Sequence, residues 1–216
     1  MQERSSYHHP DLRQALLEGA LALLKSEGIK GFSLRRLSAS VGVSHAAPYR
    51  HFASKDQLLA VLLLEGHRLL AAKLVAARVA NPGPALDRLI ALGRAYLDFA
   101  GENPERLGLM FSGEGNRAAE GIDPGALASE TEGVDSFAPL EETVRECQAE
   151  GSLDPAEDCG ILSMAFWSQV HGLALLRNEG IIEGMSRLRG GSAEATVEGV
   201  LALMRKGMGR LRPLVG

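Results

Sequence analysis

Residues 33–58, SLRRLSASVGVSHAAPYRHFASKDQL, decide the fold. Leu34, Leu37 and Val41 recur at i, i+3 and i+7, which marks one face of a short helix. Gly42 follows; without a Cβ it can take positive φ and turn the chain sharply. Val43 pins that turn to the core, and Ser44 is a good N-cap for a second helix. Helix, tight turn and capped helix make a helix-turn-helix, whose second helix is the candidate for a DNA major groove.

The rest of the chain reads with a helical period. Leu12, Leu16, Leu23 and Leu24 line one side of a helix over 11–27, with Gly28 placed to end it. Ser54, with Gln57 three residues on as a capping box, opens a long helix that Asn81-Pro82-Gly83-Pro84 breaks. Further helices are expected from Pro84 to about Gly101, from Pro104 to Phe111, over 126–150 with a kink at Pro139, and from Asp154-Pro155 to about Asn178. Ser192 caps a last one, to about Arg210. Residues 112–125 and the glycine-rich 180–191 read as loops. The expected architecture is all-α, about nine helices, with residues 1–55 as a helix-turn-helix domain and 56–216 as a helical second domain.

Charge supports that division. The whole chain carries a formal −4, but residues 1–55 hold eight Lys/Arg against four Asp/Glu, a net of +4. Residues 56–216 hold fifteen against twenty-three, a net of −8. A basic module on an acidic body fits nucleic-acid binding by the first part only. Cys147 and Cys159 lie outside any CxxC or Cys/His spacing, so neither zinc nor a disulfide framework is suggested. Residues 1–10 have no apolar h-region, and the longest apolar run, 58–64, falls far short of the roughly 20 residues that span a bilayer. A cytoplasmic protein is expected. A helical-bundle enzyme is not expected: the sequence holds no E-x-x-H, H-E-x-x-H, G-x-S-x-G or P-loop. No metal or cofactor is expected.

Gly28, Gly31, Ser33, Leu37, Val41-Gly42-Val43-Ser44, Tyr49, His51-Phe52, Lys55 and Leu58 resemble, in order and spacing, the DNA-binding domain of the TetR family of bacterial transcriptional regulators. Trp167 with His171-Gly172 is similar to a motif in one subgroup of its C-terminal domains. The resemblance implies a homodimeric, ligand-responsive repressor that binds a palindromic operator and releases it when a small molecule occupies the second domain. It places His45, Ala46 and Ala47 against bases, and Tyr49, His51 and Lys55 on phosphates. Ser33 and Arg35, opening the preceding helix, are expected phosphate contacts, and Ser44 lies on the same surface. Phe52 and Leu37 read as core.

The chain departs from the family pattern at Ala46, often Gly, at Pro48, often Leu, and at Leu37-Ser38, where Ile-Ala is frequent. Pro48 lacks the N–H that would close the first bond of the second helix, so the groove-facing surface is expected to differ from that of relatives.

The family's effector cavity maps to Phe99, Met110, Phe111, Phe137, Trp167 and His171, of which Trp167 and His171, four apart, share a helix face. Its intersubunit bundle maps to Ala165, Leu173, Leu176, Val197, Val200, Leu201 and Met204. Taken alone, either set serves equally well as intramolecular core.

Overall fold

A computed structural model describes residues 11–120 and 135–208. These form ten α-helices and one short 3-10 helix, with no strand among the described residues. The chain divides into two compact units. One holds 11–66 and 105–120 of the described residues, and the other 67–104 and 135–208. Compactness therefore parts the long third helix after Gly66, not at residue 55.

In the first unit, α1 (Leu12–Gly31) starts on Asp11, whose Oδ1 accepts the Gln14 N–H at 3.1 Å. Its ladder breaks at Gly28, φ +68°. α2 (Leu34–Val41) is capped by Ser33 Oγ, which accepts the Arg36 N–H at 3.3 Å. It stops at Gly42, whose φ of +76° lets Val43 N–H reach back to the Ser38 carbonyl at 3.0 Å. The 3-10 helix Pro48–Arg50 follows, and then α3 (Lys55–Ala80). Ser54 Oγ caps α3 by accepting the Gln57 N–H at 3.0 Å, while the Gln57 side chain closes the box on the Ala53 N–H at 2.5 Å.

Leu16, Leu17, Leu24, Leu37, Phe52, Leu58, Leu59 and Leu62 make one core, which settles Leu37 and Phe52 as packing residues. α5 (Pro104–Met110) and α6 (Gly113–Glu120) complete it through Leu109 and Ala118. α6 occupies part of the stretch expected as a loop. Ser112 Oγ caps it by accepting the Gly115 N–H at 2.9 Å. A Cβ on Gly115 would lie 2.1 Å from the Leu109 carbonyl, so that glycine serves close packing, not looseness.

The second unit is built around α4 (Ala85–Glu102), which packs against α7 (Ala138–Ala149), α8 (Cys159–Asn178) and α10 (Ala193–Met208). A Cβ on Gly93 would sit 3.1 Å from Phe166 Cζ, 3.3 Å from Val170 Cγ2 and 3.5 Å from Leu201 Cδ2, so the three helices meet on its bare backbone. α9 (Ile181–Leu188) joins α8 to α10.

Three boundaries differ from expectation here. Pro139 sits in the first turn of α7, where its missing N–H costs nothing, and does not kink a longer helix; 126–134 lie outside the described residues. α8 begins at Asp158, whose Oδ1 accepts the Ile161 N–H at 2.9 Å, because Asp154 instead turns onto the Ala156 N–H at 2.9 Å. The glycine-rich 180–191 stretch is a helix, bracketed by Gly180 (φ +70°) and Gly190 (φ +72°) and anchored by buried Ile182 and Ser186. Ser192 caps α10 as expected, accepting the Ala195 N–H at 3.1 Å; 209–210 lie outside the described residues.

α8 is also the one described helix long and apolar enough to cross a membrane, but it buries Leu162, Phe166, Val170 and Leu173 against its neighbours.

Gly42→Ala meets no atom within 4 Å, so its cost is conformational alone. Urea unfolding is expected to show a loss of about 1–2 kcal/mol, the penalty for a left-handed L-residue.

Candidate nucleic-acid interface and aromatic cluster

Residues 33–55 carry four Lys/Arg, two His and no carboxylate. Arg35, Ser44, His45, Ala46, Tyr49, Arg50 and His51 are exposed, and Tyr49 shows 60% of its surface, unusually much for an aromatic side chain. A segment that brings no carboxylate of its own and carries a bare phenol and two imidazoles suits phosphate contact and base-edge hydrogen bonding.

Ala47 is a correction. It is 9% exposed and packs inward beside Pro48, so it does not face outward with its neighbours. The reason is local: the segment is not the α-helix expected from Ser44 but a run of tighter turns, which rotates Ala47 into the domain. Ser33 is half-buried as the α2 cap. Lys55 is half-buried too, its Nζ 3.5 Å from the Ile29 carbonyl and 5.7 Å from the Phe32 ring centroid. Arg36 is held by Glu27 at 2.5 Å and by the Gly31 carbonyl at 3.2 Å.

In the second unit three predicted pocket residues come together. Trp167 stacks on His171, ring centroids 4.9 Å apart and 19° between planes, and Phe137 meets Trp167 edge-on at 6.4 Å. Tyr96 joins them, its Oη 2.7 Å from His171 Nδ1. It was missed because one tyrosine in an apolar α4 stripe carries no spacing signal. Burial raises the Tyr96 pKa and lowers that of His171. The phenol therefore stays protonated and the imidazole neutral, the two sharing the 2.7 Å hydrogen bond, while the Trp167 indole N–H donates to the phenol oxygen. His67 is likewise lowered, by burial against the opposing pull of Asp135, with Nδ1 2.8 Å from Ser136 Oγ.

The other three expected pocket residues are Phe99, Met110 and Phe111. Phe99 is buried in α4. Met110 belongs to the first unit, packed where a Cβ on Gly66 would come within 2.6 Å of its Sδ, and Phe111 belongs to that unit as well. An open cleft of about 350 Å³, lined by Leu97, Asp98, Gly101, Glu102, Arg177, Asn178 and Glu183, includes none of the six.

The expected dimer residues also divide. Leu173, Val197, Leu201 and Met204 are buried within the protomer, Leu201 lying against α4 at Gly93. Ala165 and Leu176 are exposed and Val200 is half-buried. The outward apolar surface of the same helices runs through Ile161, Met164, Leu175 and Leu176 on α8 and Leu203 on α10.

A helix-turn-helix with a basic outer surface, followed by an all-helical unit, defines the class of DNA-binding transcriptional regulators. Residues 16–62 match the family described as "Bacterial regulatory proteins, tetR family", and residues 89–201 match "Tetracyclin repressor-like, C-terminal domain". The chain belongs to the TetR family.

It is 34% identical over 89 residues to the HTH-type transcriptional regulator Rv1816 of Mycobacterium tuberculosis, 41% of this chain but only 38% of that protein. It is 40% identical over 53 residues to the HTH-type transcriptional repressor AcnR of Corynebacterium diphtheriae, 24% of this chain and 28% of that one. A solved structure of a protein of unknown function from Rhodococcus sp. RHA1 is 29% identical, with a TM-score of 0.71 over 95% of this chain and 100% of its own.

Trp167 is the only tryptophan, so its fluorescence reports on the stacked imidazole. Because burial holds His171 below 6.5, quenching by the imidazolium is expected to titrate below that value and to vanish in His171→Asn. The unfolded chain takes up the proton first, so the contribution of His171 to stability falls as pH drops below about 6.5. Urea unfolding at pH 7.5 and 5.5 is expected to show a smaller loss in the variant.

Proposed function

We propose that this chain is a homodimeric, cytoplasmic transcriptional repressor that binds a palindromic operator and releases it when a small molecule occupies the second domain. The observation that carries this reading is the exposed, carboxylate-free surface of residues 44–51 set on a buried three-helix core. His45 and Ala46 meet bases in this reading. Ser33, Arg35, Ser44, Tyr49, His51 and Lys55 hold phosphates, and Lys55 also ties α3 to the end of α1.

One such element reads too few base pairs for specificity, so two copies read half-sites about one helical turn, roughly 34 Å, apart. The outward face of α8 and α10, with Ile161, Met164, Leu176 and Leu203, is the surface a second copy covers. The effector, an apolar molecule with a polar group, lies against Trp167, His171 and Tyr96, where the indole and imidazole orient it. It acts by favouring the form that does not bind DNA, because only differential affinity shifts such an equilibrium.

Selection of bound genomic fragments by the purified protein at two salt concentrations tests this. A near-palindromic consensus whose affinity drops steeply with salt is the expected result; sequence-blind, weak retention refutes it. Arg35→Ala is expected to weaken all sites alike and to lower the salt slope by about one. His45→Ala is expected to relax preference at one base pair per half-site, a discrimination of about 1–3 kcal/mol.

A further inference from the structure

We infer that Pro48 is a positioning residue for base readout, holding the reading segment in turns and a short 3-10 helix that set which side chains face the groove together. The inference rests on the DNA-binding reading above.

In an α-helix entered at Ser44, the residue at 48 would donate its N–H to the Ser44 carbonyl. Proline has none to give. The Ser44 carbonyl instead accepts from Ala47 N–H at 3.0 Å, the Ala47 carbonyl from Arg50 at 3.2 Å, and the Pro48 carbonyl from His51 at 3.0 Å. Only the bond from Phe52 N–H to the Pro48 carbonyl, 2.9 Å, spans four residues. Pro48 itself is buried, as is Phe52, so the ring both denies the α-ladder and anchors the turn to the core.

The consequences for the exposed face follow from the backbone. Residues 45–47 run as turn and bend and only Pro48–Arg50 as a 3-10 turn, so no α-helical period of about 100° and 1.5 Å per residue sets His45, Ala46, Tyr49, Arg50 and His51 relative to one another. That is a different reading head from the α-helical one. The same residues on an α-helix would address different base positions.

The test compares selection from a random-sequence duplex library by the full-length protein and two variants. Pro48→Ala restores the N–H. Pro48→Leu restores it while keeping apolar volume in the buried site, with high helix propensity. The expected result is variants that fold, a consensus altered at one or two positions within each half-site, and about tenfold weaker binding to the wild-type site. An unchanged consensus, whether affinity is equal or uniformly reduced, would overturn the inference and leave Pro48 as packing. Failure of both variants to fold would do the same. A wild-type protein that enriches no sequence sinks the DNA-binding reading itself, and this inference with it.

Discussion

Backbone hydrogen bonding across residues 38–52 is the constraint on which the first unit depends. Gly42 in the left-handed region lets Val43 bond back to Ser38, ending α2 and sending the chain across the core. Ser38, fully buried, returns its own hydroxyl to the Leu34 carbonyl at 2.8 Å, so the turn buries a polar side chain without orphaning it. Six residues later Pro48 withholds the donor that would continue an α-ladder. Between these two residues the chain has little freedom, and Ser44, His45 and Ala46 are held outward by it while Ala47, Pro48 and Phe52 fill the core.

In the second unit the comparable constraint is the bare backbone of Gly93. Three side chains from two helices crowd it, which draws α8 and α10 onto α4 and places Tyr96, one turn further along α4, against His171. The polar tip of a tyrosine otherwise buried in that core needs a partner, and the imidazole supplies one. Ion pairs at the rim, Arg78 with Glu142 and Glu146 and Arg88 with Glu146 and Glu150, join α3, α4 and α7. Their carboxylates are largely solvated, so they direct register more than they stabilise.

Local signals were legible wherever one residue type has one strong use. The caps at Ser54 and Ser192, the helix starts at Asp11 and Ser33, the breaks at Gly28 and 81–84, and the core roles of Leu37 and Phe52 could all be read from the chain. Reading failed where a residue type has two uses. The glycines of 112–125 and 180–191 looked like looseness, yet Gly115 serves a close backbone approach and Gly180 and Gly190 cap a helix. Two aspartates competed to start α8, and proximity in sequence to a proline favoured the wrong one.

The amino-acid sequence by itself determined the helical class, the helix-turn-helix and the family, because capping, turn chemistry and a 3.6-residue period act within a few residues of one another. Only the tertiary structure decided which side of each helix is inside. Leu173, Val197, Leu201 and Met204 turned inward, and Ile161, Met164 and Leu203 were left facing out. Both stripes on α8 and α10 are apolar, so hydrophobicity alone does not rank them. The choice falls to the shape of the partner, a glycine on α4 that admits one face closely. The same holds for Tyr96 and His171, 75 residues apart in the chain and 2.7 Å apart in space.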